Sequence, residues 1–243
     1  MDSKILGIIP ARYKSTRFPG KPLADICGQT MIQRVYERAR LSKSLYDVII
    51  ATDDSRIYEC AKNFGANVIM TDSNLPNGTA RCEQAAKFYN QKIDSVINIQ
   101  GDEPLLDPVM IDEIAELLIN NDCATLCREL NDDYENPNIV KVVTNLNHEA
   151  LYFSRSLIPF MRNKINLPVY QHIGIYGYKI EFLRKYVSLP VTPLSEAESL
   201  EQLKILEHGY KICVKVTSSK SQNIGVDTPE DLQRVRELIN AGN

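Results

Sequence analysis

An α/β fold built on a mostly parallel sheet is predicted by three features of the first half of the chain. Short apolar runs alternate with segments of helical periodicity, the runs are rich in Ile and Val, and polar loops follow them. Nearly continuous apolar runs are typical of strands that helices cover on both faces. The predicted strands are ILGII, DVIIAT, NVIMT and SVINIQ, and the predicted helices are MIQRVYERARLSK, DSRIYECAKNFG, TARCEQAAKFYN and PVMIDEIAELLIN.

Repeated strand and helix units of this kind predict a Rossmann-like arrangement, in which ligands bind beyond the carboxyl ends of the strands. Three polar loops follow predicted strands at that edge, and they are ARYKSTRFPGKP, ATDD and QGDEP. Because the carboxyl ends of parallel strands share one edge of a sheet, we expect these loops to converge on one rim.

The second half of the chain has a different pattern. Its segments VKVVTN, ALYFSRS, HIGIYGYK and YKICVKV carry the β-branched and aromatic residues of strands, separated by long polar loops. This pattern predicts a strand-rich extension of the sheet. No Ser/Gly-rich linker, internal repeat or low-complexity tract marks a boundary, so residues 1–243 are predicted to form a single domain.

The last segment, VDTPEDLQRVRELI, has the signals of a helix start. Thr228 can cap the helix, Pro229 can occupy its first position, and Glu230 and Asp231 complement the positive end of the helix dipole. A helix is therefore predicted to begin directly after Asp227.

Charge and composition limit the classes of partner. The chain has 28 Lys plus Arg against 31 Asp plus Glu, so its net charge is only −3. This balance gives no overall field toward nucleic acid or an anionic membrane, and neither is expected as a partner. No apolar run approaches the roughly 20 residues of a membrane helix, and KILGIIPAR is too short for a signal-peptide core. A cytoplasmic protein is expected.

The six cysteines are dispersed along the chain, and a chain of this size can fold stably without disulfides. Reduced thiols are therefore expected. Cys123 and Cys127 lie four residues apart in the apolar stretch CATLC, outside any CxxC pair, and are predicted to be small core residues rather than metal ligands.

The loop after the first predicted strand concentrates positive charge in a chain that is net acidic. Gly20 lets the backbone approach a ligand closely, and Arg12, Arg17 and Lys21 can distribute positive charge along a triphosphate. The loop matches neither the Walker sequence nor GxGxxG. It is predicted to bind an anion, and the alternative is a solvated basic loop that only joins a strand to a helix.

Two aspartates are candidates for a metal site. Asp102, in QGDEP, follows a predicted strand at the ligand edge, and Asp227 stands just before the last predicted helix. Together they would form the hard, oxygen-only site that Mg²⁺ prefers when it bridges phosphate oxygens. Taken singly, Asp102 could be a turn residue and Asp227 a residue that only flanks a helix.

Nine segments, in order along nearly the whole chain, resemble the 3-deoxy-manno-octulosonate (Kdo) cytidylyltransferases. They are PARYKSTRFPGKPL, ATDD, NGTAR, INIQGDEP, NPNIVKVV, ALYFSRSLIPF, HIGIYGY, LEQLKILEHG and VDTPEDL. Agreement of so many separate segments is far more specific than any one of them. The related sialic-acid cytidylyltransferases share the basic loop in a looser form.

The resemblance implies that CMP passes from CTP to a 2-keto-3-deoxy sugar acid, with release of pyrophosphate, for lipopolysaccharide or capsule synthesis. It further implies Mg²⁺ as cofactor and a homodimer. The strand-rich middle of the chain, in which Tyr152, Phe153 and Phe160 are expected to be exposed, could supply the interface. The implied catalytic residues are Arg12, Lys21, Asp102 and Asp227, the last two also holding the metal. The implied nucleotide-binding residues are Pro10, Ala11, Arg12, Ser15, Lys21, Arg81 and Gln100.

The resemblance also implies a pocket for the sugar acid in the second half of the chain. Its residues are Arg155, His172, Tyr176, Glu201 and Gln202. A sugar acid needs one cation for its carboxylate and several neutral donors and acceptors for its hydroxyls, and this group has that chemistry. Without the resemblance, the types of these five residues would not have placed them in one pocket.

The main departure from the family pattern lies in one segment, with milder changes at GQT and SKSQNIGVDT, and other interpretations remain open. The usual SGTDR is NGTAR here, so Ala80 replaces an aspartate and Asn77 replaces a serine, while Arg81 is kept. The sugar could be an amino-substituted relative of Kdo or a sialic-acid-like compound. A nucleotide-binding homologue without catalysis is the reading from another class, and only Ala80 supports it.

Overall fold

A computed structural model describes residues 3–14, 18–163, 165–221 and 224–242. The strands in these ranges are β1 (Ile5–Ala11), β2 (Asp25–Ile26), β3 (Gln29–Thr30), β4 (Asp47–Thr52), β5 (Asn67–Met70), β6 (Ser95–Asn98), β7 (Cys123–Leu130), β8 (Lys141–Thr144), β9 (Ala150–Ser154), β10 (Val169–Lys179) and β11 (Cys213–Val216). The α-helices are α1 (Met31–Ala39), α2 (Ser55–Asn63), α3 (Gly78–Phe88), α4 (Pro108–Leu117), α5 (Ile180–Ser188), α6 (Pro193–Glu198), α7 (Leu203–Glu207) and α8 (Pro229–Asn240).

The main sheet has the strand order β5-β4-β1-β6-β10-β7-β11, with the hairpin of β8 and β9 attached to β10. Strand β1 pairs in parallel with β4 and β6, and β10 pairs antiparallel with both β6 and β7. Every strand along this order except β10 runs in one direction. The predicted mostly parallel sheet and its strand-rich extension are confirmed. Because β10 joins both halves into one sheet, the sheet supports the single-domain prediction, which stays a prediction.

Apolar side chains fill both faces of the sheet. One face packs against α1, α2 and α4 through residues such as Ile32, Ile57 and Ile114. The other face packs against α3, α5 and α7 and contains Cys123 and Cys127. Burial raises the pKa of the Cys127 thiol to about 12, so it stays an unreactive thiol in the core, as predicted.

Helix α8 begins as predicted. The Thr228 hydroxyl accepts a hydrogen bond from the Asp231 N–H, and the Asp231 carboxylate accepts from the Thr228 N–H in return. Leu232 and Val235 pack in a third apolar cluster with Ile26, which lies near the start of the chain. This packing brings the segment before α8 to the rim where β1 ends.

Within the described ranges, no helix is long and apolar enough to cross a membrane.

Candidate active site

The loops that follow β1 and β6 meet at one rim of the sheet. Gly101 lies so close to β1 that a Cβ atom there would stand 2.9 Å from the Pro10 carbonyl oxygen. Only glycine allows this approach without a shift of backbone. The contact fixes Gln100 and Asp102 beside the start of the basic loop, where the sequence predicts the phosphate chain.

Lys21 joins the two predicted metal ligands. Its ammonium lies 2.7 Å from the Asp102 carboxylate and 3.2 Å from the Asp227 carboxylate. The Val226 N–H also donates to the Asp102 carbonyl at 2.9 Å, so the two segments are held by backbone as well as by charge. Two carboxylates that are distant in the sequence therefore face one cation.

The chemistry of this pair fits a magnesium ion. Both aspartate side chains are partly exposed, and their oxygens are hard donors of the kind that Mg²⁺ prefers. No cluster of three or more His, Cys, Asp or Glu is found in the part of the chain that the structure describes. Mg²⁺ is usually held by one or two carboxylates, with water and substrate phosphates as its other ligands.

The basic loop is closed by its glycine. Gly20 has a left-handed backbone with φ of 74°, and its N–H donates to the Tyr13 carbonyl at 2.9 Å. Lys21 follows directly, at the start of a short 3₁₀ helix. The Arg12 guanidinium donates to the Leu75 carbonyl. Two residues named from the sequence, Ser15 and Arg17, lie outside the described residues.

A cavity of about 330 Å³ lies beside this rim, between β6, β10 and the segment before α7. Among its lining residues are several from both predicted groups: Pro10, Gln100, His172, Tyr176, Glu201 and Gln202. A larger cavity, of about 510 Å³, lies between α1 and α8 and contains none of the predicted residues. We place the site in the smaller cavity because the polar groups named from the sequence converge there.

A bulge in β10 shapes one wall of the cavity. The register of β10 against β7 shifts between Ile173 and Tyr176. The Gly174 carbonyl in this bulge accepts a hydrogen bond of 2.7 Å from the Gln100 side-chain amide. The loop that follows β6 is therefore in direct contact with the bulge in β10.

His172 is neutral in this cavity. Its ring packs between Phe153 and Tyr176, and its Nε2 lies 3.2 Å from the Thr125 hydroxyl. Burial lowers the pKa of His172 to about 3. The imidazole can therefore accept or donate a hydrogen bond near neutral pH, but it cannot supply positive charge to a bound carboxylate.

Glu201 is the acidic group of the cavity wall. The Thr79 hydroxyl donates to its carboxylate at 3.3 Å, and the Tyr186 hydroxyl donates to its carbonyl at 3.0 Å. Burial raises the pKa of the Glu201 carboxyl, with the Thr79 hydrogen bond opposing that change. The Glu201 carboxyl can therefore share hydrogen bonds with neutral hydroxyl groups, as it does with that of Thr79.

Arg155 is oriented differently from the other predicted sugar-acid residues. Its guanidinium donates to the backbone carbonyls of Glu198 at 2.7 Å and Pro137 at 3.0 Å, and it is not among the residues that line the cavity. The buried Lys141 ammonium donates in turn to the Arg155 carbonyl at 2.6 Å. Arg155 holds together the segments around the cavity, and its contact with a sugar acid stays a prediction.

Arg81 also lies inside the protein rather than at the cavity wall. Its side chain is fully buried, with the guanidinium 3.1 Å from the Asp53 carboxylate and a second hydrogen bond to the Thr71 hydroxyl. Desolvation lowers the pKa of Arg81, and the Asp53 charge opposes that change. Its role in nucleotide binding stays a prediction.

The NGTAR segment keeps its local structure despite its departure from the family pattern. Asn77 caps α3, because its side-chain oxygen accepts from the Ala80 N–H at 2.8 Å. Asparagine and serine both cap helices well, so the change from serine preserves the start of α3. No described contact explains the alanine at position 80.

Five polar side chains that line the cavity were not predicted from the sequence: Thr79, Asn98, Tyr178, Tyr186 and Ser199. Asn98 had a usable signal, because it is the polar residue in the apolar strand SVINI and shares the sheet face of Gln100 by strand alternation. Thr79 and Tyr178 lie in the segments NGTAR and HIGIYGY, which carry the family resemblance, whereas Tyr186 and Ser199 come from segments that showed no pattern of a site.

A family model described as "Cytidylyltransferase" matches residues 6–212. The 3-deoxy-manno-octulosonate cytidylyltransferase of Solibacter usitatus is 49% identical over 247 residues, covering 99% of this chain and 96% of that protein. The 8-amino-3,8-dideoxy-manno-octulosonate cytidylyltransferase of Shewanella pealeana is 49% identical over 233 residues, covering 93% and 94%. A solved structure of CMP:2-keto-3-deoxy-manno-octonic acid synthetase complexed with CTP matches with a TM-score of 0.93 and 39% identity, covering 99% of this chain and 100% of that one.

The lowered pKa of His172 predicts a dependence of stability on pH. The unfolded chain binds a proton at His172 near pH 6.5, whereas the folded chain binds it only near pH 3, so stability falls as the pH decreases between these values. The slope for one proton is at most about 1.4 kcal/mol per pH unit. We expect the His172→Gln variant to lose less stability than the wild type between pH 6.5 and 4, measured by urea unfolding.

The other two histidines are present in both proteins, so their effects cancel in the difference. Parallel stability profiles, or an NMR titration of the His172 ring near pH 6.5, would contradict a neutral imidazole in the folded state.

Proposed function

The chain belongs to the cytidylyltransferase family, as a 3-deoxy-manno-octulosonate cytidylyltransferase, and from this premise we propose how its residues carry out the reaction. The enzyme transfers CMP from CTP to Kdo and releases pyrophosphate. One observation carries the assignment of the site. Asp102 and Asp227 face the Lys21 ammonium at the rim of the sheet, where the basic loop begins and the neutral cavity opens.

The proposed reaction is a direct displacement. The anomeric hydroxyl of Kdo attacks the α-phosphorus of CTP, a new P–O bond forms as the bond to pyrophosphate breaks, and the hydroxyl proton is released. The motifs contain no covalent nucleophile, so no enzyme-bound nucleotide is needed. Both substrates are anionic, and positioning with charge neutralisation is therefore the main task of the protein.

The charged residues divide this task. Arg12 and Lys21 would bind the triphosphate and stabilise the negative charge that gathers on the leaving pyrophosphate. We propose Mg²⁺ as the cofactor, held by Asp102 and Asp227, where it would neutralise phosphate charge as a Lewis acid. Pro10, Ala11 and Gln100 would seat the nucleotide at the end of β1 and β6.

The cavity is proposed to hold the sugar acid. Neither lysine nor arginine lines it among the described residues, and its polar groups are neutral hydrogen-bonding side chains together with Glu201. Such a surface suits the hydroxyls of Kdo.

A substrate panel tests this assignment. We expect CTP-dependent pyrophosphate release to be fastest, by kcat/KM, with Kdo, slower with 8-amino-3,8-dideoxy-manno-octulosonate, and negligible with nine-carbon sialic acids. The measurement is a coupled pyrophosphate assay at fixed CTP and Mg²⁺. A higher kcat/KM with the amino sugar would overturn the choice of Kdo, and activity with only nine-carbon acids would overturn the substrate class.

The role of Asp102 is tested by Asp102→Asn. This change removes one charged metal oxygen while keeping the shape of the side chain, so kcat should fall by a factor on the order of 100 or more with a modest loss of CTP affinity. Asp132→Asn makes the same change at an exposed site and serves as the control. If Asp102→Asn keeps the kcat of the control, Asp102 is not a metal ligand in the reaction.

A homodimer is proposed from exposed apolar side chains near the β8 and β9 hairpin. Phe160 is 88% exposed, and Leu151, Ile165 and Leu167 are exposed as well. One part of the sequence prediction was wrong, because Phe153 is fully buried in the core and cannot take part in an interface.

Phe160→Asp should shift the dimer toward monomer, because it places a charge in the apolar contact. Leu41→Asp changes a 61% exposed residue just after α1, away from the β8 and β9 hairpin, and should leave the dimer intact. Sedimentation velocity at several protein concentrations measures both. A wild-type protein that sediments as a monomer, or a Phe160→Asp variant that stays dimeric, would contradict this interface.

We also propose a cytoplasmic location. All six cysteines are described as free thiols, which is typical of a reducing compartment.

A further inference from the structure

Unsatisfied polar atoms are rare in the protein interior, and they concentrate at this cavity. Among the described residues, four buried side-chain polar atoms have no hydrogen-bond partner: Arg81 Nε, Arg128 Nη2, Asn98 Oδ1 and the Tyr176 hydroxyl. The last two belong to side chains that line the cavity. The Thr125 hydroxyl is near Tyr176, but it is already engaged with the Ile175 carbonyl at 2.8 Å. Asn98 is therefore the clearer case.

Asn98 lies at the centre of the sheet. It ends β6, with Ile8 of β1 on one side and Tyr176 of β10 on the other. Its side chain is on the same face as that of Gln100, two residues further toward the rim. Asn98 is only 5% exposed, so its amide forms the floor of the cavity and Gln100 lies nearer the mouth.

A buried amide oxygen without a partner lowers the stability of the free protein, because its lost contact with water is not replaced. The flanking residues Val96, Ile97 and Ile99 are fully buried and apolar, so packing alone would favour an apolar residue at position 98. A polar side chain at this position is explained by a bound ligand that supplies the hydrogen-bond partner missing from the protein.

We propose that Asn98 hydrogen-bonds a hydroxyl group of the bound sugar acid and is a specificity-determining residue of the reaction. An amide both donates and accepts, as a hydroxyl does, and so the two satisfy each other. The carboxylate of the sugar acid would instead require a cation, and no described lysine or arginine lines this cavity. The inference rests on the proposed function and deepens it.

The sugar acid, rather than the cytidine, is the expected partner because of the neighbours of Asn98. It is paired in register with Tyr176, whose ring contacts that of His172, and Glu201 lines the same cavity. The nucleotide-side residues Pro10 and Gln100 lie toward the rim. A site that hydrogen-bonds a hydroxyl strongly rejects an analogue that lacks it, since its own polar group is then left unpaired.

The test compares Asn98→Leu, which keeps the branching at Cγ but has no hydrogen-bonding groups, with Asn63→Leu at an exposed position on α2. For Asn98→Leu we expect the KM for Kdo to rise at least about tenfold while the KM for CTP changes by less than about threefold. The melting temperature of the ligand-free protein should be unchanged or higher, because an unsatisfied amide has been removed. The Asn63→Leu control should match the wild type in the KM for Kdo, the KM for CTP and the melting temperature.

An analogue series identifies the hydroxyl. The wild type should discriminate Kdo from one monodeoxy analogue, and Asn98→Leu should lose that discrimination. If Asn98→Leu does not fold, Asn98→Ser is measured in the same way, because it shortens the side chain without adding apolar bulk. Calorimetric binding of Kdo, with a non-hydrolysable CTP analogue present, gives the same comparison without turnover.

An unchanged KM for Kdo, or an equal rise in both KM values, would overturn the inference while leaving the proposed function intact. A lower melting temperature with normal kinetics would assign Asn98 a structural role and would also overturn it. If the wild type neither turns over nor binds Kdo, both the proposed function and the inference fail.

Discussion

The contact of Lys21 with Asp102 and Asp227 is the constraint on which the site depends. It joins the first loop of the sheet, the loop after β6 and the segment before α8, which come from the beginning, middle and end of the chain. The apolar cluster of Ile26, Leu232 and Val235 holds α8 in the position that makes the contact possible. Like charges at this rim would repel without the ammonium, so the charge balance and the fold support each other.

The sheet separates two kinds of chemistry. Its parallel strands end at a charged rim, which suits a triphosphate and a metal ion, whereas the antiparallel β10 closes a neutral cavity beside it. The hydrogen bond from Gln100 to the Gly174 carbonyl connects the two. A reaction between two anions needs this division, because one partner must have its charge neutralised while the other is oriented through its hydroxyls.

Much of this arrangement could be predicted from residues. Alternating apolar runs and helical segments predicted the sheet, and the two aspartates and Lys21 were identified as neighbours in function. Helices α5, α6 and α7 were missed because their segments looked like polar loops. The orientations of Arg155 and Arg81 could not be predicted. The Arg155 guanidinium donates to backbone carbonyls, and the Arg81 guanidinium pairs with Asp53 inside the protein. Partners of these kinds leave no pattern in a sequence. Phe153 is fully buried although Leu151, two residues earlier in β9, is exposed, so neither composition nor strand alternation predicted its place in the core.

The central claim is that the carboxylates of Asp102 and Asp227 flank the triphosphate of CTP and share one divalent cation. A crystal structure with CTP and Mn²⁺, with the metal located by its anomalous scattering, tests this most directly. We expect one anomalous peak for manganese, within about 2.5 Å of an oxygen from each carboxylate and from the triphosphate. Manganese bound elsewhere, or a cytidine outside the cavity and rim, would contradict it.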